Sequence, residues 1–352
     1  MTDTANFLKE LISAPGLSGY ESAVRPLVEK VWRPLTDELS VSKLGSLHGF
    51  QRGTGPEPRQ SILVAAHMDA IGLMVSAIVD GFLRLTSIGG IDVRILPGQM
   101  VTVHGRHDLP GMVVATPARL LPSNIQTGVV PLEYFLVDVG LLPEEVTDLV
   151  RVGDLVSFAQ APIELAGETI VGHTLDDRAA IAALTHCLEL LRTRAHVWDV
   201  WAVATVQEEV SLGGAYTSAF QLHPSLAIAL DVTFASSPGS PGHLTVPLGK
   251  GLSLVWGPNM HPFLYNTIKE LAERLDIPFN FEPAPSHTGT DTFAMQVTAE
   301  GIPNMVIGIP LRYMHSPVEM VVLKDITRAG RLLAEFIAQL DENFMQKLTW
   351  DD

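Results

Sequence analysis

The run VATVQEEVSLGG, residues 203–214, closes an apolar segment with two adjacent carboxylates, Glu208 and Glu209, followed by a glycine pair. Four other places set polar residues at the edge of an apolar strand or turn: AAHMD (His67, Asp69), HTLDDR (Asp176, Asp177), IALDV (Asp231) and YMHSP (His315). Taken singly, each has an ordinary role open to it. Asp69 could cap a turn, His67 could sit satisfied in a core, and Asp176 could cap a helix that has Asp177 in its first turn. Asp231 could end a strand and His315 could lie in a loop. Together they are two imidazoles and several carboxylates, an inventory that suits divalent metal of the zinc or cobalt class. Carboxylates buried together without a cation repel one another and lose their hydration. A pair of cations with a bridging carboxylate removes that conflict. The members are scattered from His67 to His315, so no local motif gathers them. The fold must.

Such strand ends converge on the crevice of an α/β sheet, and the chain has the alternation that builds one. Residues 6–14 and 20–35 have helical character, broken by the turn PGLSG; GSLHGFQRGTGPEPRQ reads as loops around a short strand. SILVAAHMD, 61–69, is a continuous apolar run, as expected of a buried strand. Later come helices over 177–194, 213–222, 261–275, 290–299 and 324–344, with strands over 197–206, 226–232, 303–309 and near 279–281. A largely parallel sheet is predicted. Residues 71–165 break the pattern: MVSAIV, FLRLTSI, QMVTVHG, PGMVVATPA, YFLVDVG and DLVSFA are short β-branched pieces punctuated by glycine and proline. That is the pattern of a small all-β domain. The expected organisation is a catalytic α/β domain over 1–70 and 166–352, with a β domain inserted over 71–165.

Bulk properties narrow the partners. The chain of 352 residues is long enough for one large domain or two ordinary ones, and 47% hydrophobic residues argue for buried cores. Its 39 acids against 23 bases leave a net charge of -16, which offers no basic face for nucleic acid. The single cysteine, Cys187, excludes an internal disulfide and falls in a helical segment where packing is its natural role. MTDTANFLKELI reads as an amphipathic helix and not as a signal peptide. His67, Asp69, Asp80 and Asp231 cut the most apolar stretches short of membrane-spanning length. A cytoplasmic protein without a membrane partner is expected.

In order along the chain, AHMDAIG, GHTLDDRAA, VATVQEEVSLGGA, IALDV, GTD and YMHSPVE resemble the signature segments of the M42 metallo-aminopeptidase family. Members of that family have also been labelled glutamyl aminopeptidases, deblocking aminopeptidases and endoglucanases. The resemblance spans nearly the whole chain. It implies a three-layer αβα zinc-peptidase-like catalytic domain, two divalent ions per chain (Zn2+ or Co2+), and removal of N-terminal residues from short peptides. Carried over residue by residue, it makes His67 a ligand of one metal and Asp69 the residue that orients it. Asp176 becomes the bridging carboxylate, Glu208 the general base and Glu209 the ligand beside it. Asp231 becomes the other single-metal carboxylate, and His315 completes the second metal. It also implies a dimer formed through the β insertion, built further into a tetrahedral dodecamer.

The sequence departs from the family pattern at Ala70, often Glu, and at His173, commonly Lys or Arg; Phe293 and Gln296 follow GTD in a region expected to border the substrate. Ala70 and the apolar Phe293 region, with the negative net charge, favour neutral or aliphatic first residues over acidic ones. A metal-dependent N-acyl-amino-acid deacylase or a dipeptidase would use the same inventory. A glycosidase also pairs acids, but ordinarily without histidine ligands or two metals.

Overall fold

The structure, a computed structural model, describes residues 2–242 and 245–349. At its centre is an eight-stranded sheet. In spatial order its strands are Glu38–Val41, Leu47–Gln51, Asp199–Thr205, Ser61–His67, Leu226–Phe234, Asn304–Leu311, Leu252–Trp256 and Phe279–Pro283. Asp199–Thr205, Ser61–His67, Leu226–Phe234 and Asn304–Leu311 run parallel to one another. Their side chains are buried almost without break, so SILVAAH and LAIALDV read as apolar runs and not as alternation. Outside this parallel block the sheet turns antiparallel, at Leu47–Gln51 on one flank and Leu252–Trp256 on the other. The sheet is therefore more mixed than its sequence pattern predicts. Leu252–Trp256 was not anticipated, being only five residues of SLVW-type sequence wedged between glycines.

Two sets of helices flank this sheet, Thr4–Ser13 joining the first through its contacts with Leu175–Leu191. One contains Thr4–Ser13, Arg25–Trp32, Leu175–Leu191, Pro262–Arg274 and Leu323–Gln339; the other contains Gly213–Leu222 and Asp291–Gln296. Leu323–Gln339 shows why they form. Ile326, Ala329, Leu333, Phe336 and Ile337 are buried at helical spacing, while Lys324 and Arg331 take the exposed side. Each large apolar side chain so removed from water contributes about 1.5–3 kcal/mol. Gly330 lets this helix lie against Leu175–Leu191, because a Cβ there would sit 2.4 Å from the Ala183 carbonyl oxygen. Cys187 is buried in the same core, and burial pushes its thiol pKa up.

Between the Ser61–His67 and Leu175–Leu191 elements, six strands close into a barrel: Gly72–Val79, Phe82–Ile88, Phe135–Asp138, Asp108–Ala115, Met100–His104 and Leu155–Phe158. Strict alternation along DLPGMVVA sends Leu109, Gly111 and Val113 inward, where they meet Val75, Leu83, Val103 and Val137 in a core of their own. A helix, Pro143–Leu149, interrupts the strands; its proline at the first turn and Glu144 and Glu145 behind it are a helix-start signal lying in a region otherwise all β. A small antiparallel sheet of Ile163–Leu165, Thr169–Gly172 and Glu319–Val322 then ties the chain leaving the barrel to the segment just after His315. Among the described residues no helix is long and apolar enough to cross a membrane.

Candidate metal centre

Because the central strands are parallel, their carboxyl ends share one edge, and there the candidate residues meet. His67 ends its strand opposite Thr205, and Glu208 and Glu209 follow Thr205 around a turn entered through Gln207 at φ 59. Asp231 lies near the end of Leu226–Phe234. Asp176 and Asp177 enter from the start of Leu175–Leu191, but with non-helical backbone angles and a cis peptide between them. Both carboxylates are buried, so neither is the solvent-facing cap or first-turn acid that its position suggests.

The structure brings His67, Asp176, Glu208, Glu209, Asp231 and His315 together around one cleft of about 300 Å³. Asp176 stands between the imidazoles: its Oδ1 is 3.1 Å from His67 Nε2 and its Oδ2 is 3.3 Å from His315 Nε2. Glu209 Oε1 is also 3.3 Å from His315 Nε2, and Glu208 Oε2 is 3.8 Å from His67 Nε2. Two overlapping trios offer ligand atoms within 4.8 Å of one another: His67, Asp176 and Glu209, and His67, Asp177 and Asp231.

The charges are badly balanced. Burial disfavours the His67 imidazolium, yet Glu208, Asp176 and Asp69 override it and raise its pKa well above the ordinary value. His315 is likewise pushed up to about 11: burial works against it, and Asp176 and Glu209 outweigh burial. Asp176, penalised by burial, is still pulled below the usual carboxylate range by these imidazoles. Glu208 and Asp231 go the other way. Burial, and the neighbouring acids beyond what His67 offsets, raise both well above normal. Asp177 is raised by burial and by Asp231, and its Oδ1 has no hydrogen-bond partner. Too many carboxylates converge for two imidazoles to neutralise. Oxygen and nitrogen donors crowded in this way fit divalent cations.

Behind these groups a second set fixes the backbone. Asp69, with no exposed surface, accepts the N–H of Glu208 at 3.0 Å and of Glu209 at 3.2 Å, one on each carboxylate oxygen. His67 Nδ1 lies 3.1 Å from the Asp69 carbonyl and 3.6 Å from its carboxylate, so this residue holds the imidazole as well as the glutamate turn. Nothing in the sequence singles out Glu319. It accepts the N–H of Asp176 at 3.1 Å and of His315 at 2.9 Å, tying two distant segments of the centre together. The faint signal was its place four residues after His315, in YMHSPVE. Fully buried Arg178, its pKa lowered by burial to about 10, donates to the carbonyls of Leu11, Ala14 and Met68. Asp291 of the GTD segment accepts from the Thr205 hydroxyl at 2.5 Å, and burial pushes its pKa up to about 6.

The departures from the family pattern lie elsewhere. Ala70 is buried, His173 packs edge-on to Phe158 at 4.9 Å, and Phe293 stacks beside His287 at the same distance. None of these, nor Gln296, lines the cleft.

A carboxylate–imidazole centre at the carboxyl edge of a mixed α/β sheet places the chain in the class of metal-dependent hydrolases. The model of the M42 glutamyl aminopeptidase family matches residues 45–332, and the chain belongs to that family of metal-dependent aminopeptidases. It is 35% identical to a lysyl aminopeptidase of Pyrococcus furiosus over 339 residues, 95% of this chain and 96% of that protein. The TET aminopeptidase of the archaeon Thaumarchaeota SCGC AB-539-E09 superposes with a TM-score of 0.92 at 31% identity, covering 98% of this chain and 99% of that one. The TET1 peptidase of Pyrococcus horikoshii, described as assembling into a tetrahedron or a large octahedral shell, gives 0.82 at 29% identity over 96% and 100%.

Proposed function

We propose that this protein is a dinuclear metal-dependent aminopeptidase that removes N-terminal residues from short peptides, with Glu208 as the proton carrier. The observation that carries the reading is the placement of Asp176, one oxygen toward His67 and the other toward His315. One ion would be held by His67 and Asp231, the other by His315 and Glu209, with Asp176 shared. Bound there, divalent ions such as Zn2+ or Co2+ supply Lewis acidity for the scissile carbonyl and lower the pKa of water.

The chain's own residues do the rest. Glu208, kept off the ligand set, takes a proton from the attacking water and gives it to the leaving amine. A carboxylate in that role works best with its pKa raised toward neutrality, and burial raises it here. Asp69 fixes the direction of Glu208 and Glu209 through their backbone N–H groups.

Residues 1–70 and 166–352 form the catalytic domain in this reading, a three-layer arrangement supported by the two helix sets. Residues 71–165 form an inserted β domain, supported by the closed barrel with its separate core, and in this reading that domain mediates dimerisation. Assembly to a tetrahedral dodecamer follows the precedent of TET1 peptidases, one described as a dodecamer and one as a tetrahedron or a large octahedral shell, and the protein acts in the cytoplasm.

Two measurements test the function. Elemental analysis of active protein should find close to two transition-metal ions per chain. Aminoacyl-anilides with a free amine should be cleaved while their N-acetylated copies are ignored. Cleavage of the acetylated set alone would instead identify a deacylase.

A further inference from the structure

We propose that the cleft beside the metal centre is shaped for a basic first residue, lysine or arginine, and that Glu282 is the carboxylate that meets its charge. The proposal deepens the aminopeptidase reading and rests on it. Asp231 and Thr233 share a face of their strand, about 6.6 Å apart, two strand rises along. Asp231 pairs with Gly308 in the next strand, Gly308 pairs with Ser253 in the one after, and Val255 pairs with Glu282 at the sheet edge. Gly308 leaves the floor of the cleft bare. A Cβ there would lie 3.0 Å from Ser253 Cβ and 3.2 Å from Thr233 Cγ2.

Over this bare floor Glu282 reaches inward from the edge strand. The Thr233 hydroxyl lies 2.9 Å and 2.8 Å from its two oxygens, and the Ser253 hydroxyl donates to the second. Hydroxyls fix a carboxylate in direction without neutralising it, and they leave acceptor capacity for a further donor. Among the described residues lining the cleft there is no lysine or arginine. Apart from the groups of the metal centre, Glu282 is the one acidic side chain there.

Val232, Val255, Val306 and Met314 give the cleft apolar lining beside Thr288 and Thr290. A cleft that holds the reaction centre, apolar lining and one further carboxylate offers a counterpart to the backbone, methylene stem and cation of a lysine or arginine residue. An acidic first residue would face like charge. Under this proposal the favoured first residue is basic, where the sequence favours neutral or aliphatic ones, and acidic residues stay disfavoured.

The test is a panel of lysyl-, arginyl-, leucyl- and glutamyl-anilides on metal-loaded wild type and on Glu282→Gln, whose fold and metal content are checked alongside. Wild type should favour lysyl and arginyl substrates over leucyl by about tenfold or more. Glu282→Gln should lose roughly tenfold to a hundredfold in kcat/KM on the basic pair, mainly through KM, with leucyl turnover kept within about twofold. Added salt should raise KM for the lysyl substrate and leave that for the leucyl substrate nearly unchanged. An equal loss on all substrates would assign Glu282 to the substrate's α-amine or to the floor itself and overturn the proposal. So would a wild-type preference for leucyl with no effect of the substitution on lysyl. Absence of turnover on every free-amine substrate is a different result, because it removes the aminopeptidase reading and this proposal with it.

Discussion

Glu319→Gln isolates the scaffold of the metal centre from its ligands. The carboxylate accepts two backbone N–H groups, Asp176 at 3.1 Å and His315 at 2.9 Å, and is 1% exposed. Glutamine keeps the shape but only one acceptor, so its amide N–H2 must face one of those N–H groups. Losing one hydrogen bond to a buried charge costs about 1.5–3 kcal/mol. Part of this returns, because burial and the nearby Asp176 already raise the Glu319 pKa, and the substitution removes that repulsion. The expected net loss is roughly 1–2 kcal/mol, read as a lower urea midpoint in chelated protein. Metal affinity should fall about 10–100-fold, since the bond lost orients either Asp176 or His315. Isothermal titration with zinc, run beside urea unfolding with and without metal, separates the two effects. If both midpoint and affinity stay at wild-type values, Glu319 does not hold the centre together and the reasoning fails.

Glu208→Gln should retain its metal and lose about 10²–10⁴-fold in turnover, whereas Glu209→Gln should also lose metal; equal metal content with near-normal turnover in Glu208→Gln removes it as the proton carrier. His48, buried and bonded to the Ser218 hydroxyl at 2.9 Å, has its pKa lowered by burial to about 4. The unfolded chain binds this proton more readily, so the contribution is complete above about pH 6.5 and is lost as pH falls toward 4, by up to roughly 3 kcal/mol. Urea stability of wild type relative to His48→Gln should therefore drop between pH 7 and pH 4.5, and a constant difference would contradict the assignment. Gly330→Ala should lower the melting temperature through an overpacking cost of about 1–3 kcal/mol, because its Cβ would meet the Ala183 carbonyl; an unchanged melting temperature would show that the two helices can part freely.

What was legible in the sequence was what repeats or what breaks a pattern. SILVAAH and LAIALDV announced the parallel strands because both faces of each are covered, and the polar residues interrupting those runs are the ones the fold gathers at the sheet edge. Leu252–Trp256 left little trace, since five residues are too few to establish a period. Asp177 reads as an ordinary helix acid because nothing local reveals a helix start whose first residues leave helical geometry. Glu319 and Glu282 were hidden for another reason. Each sits in a short strand where an acid ordinarily points to solvent, and only tertiary pairing shows that its oxygens reach inward.

The surplus of acid has a structural origin as well as a chemical one. Gln207, Tyr313 and His315 all have positive φ, at 59, 60 and 60, and sharp turns of this kind strand backbone N–H groups away from any ladder. Buried donors need acceptors. Asp69 takes two at the Glu208–Glu209 turn, and Glu319 takes one at His315 and one at Asp176. Neutral amides would offer fewer acceptors in the same space, so carboxylates are the compact solution. Their cost is buried negative charge, which the imidazoles and Arg178 offset only in part. A cation bound in front of this scaffold therefore completes the electrostatics of the turns behind it. Metal removal should accordingly lower the stability of the whole domain as well as abolish turnover, with the unfolding midpoint rising with free metal concentration as linkage requires. An unfolding midpoint indifferent to zinc over several decades of concentration would mean that the turns are stable without it, and that this account of the acidic surplus is wrong.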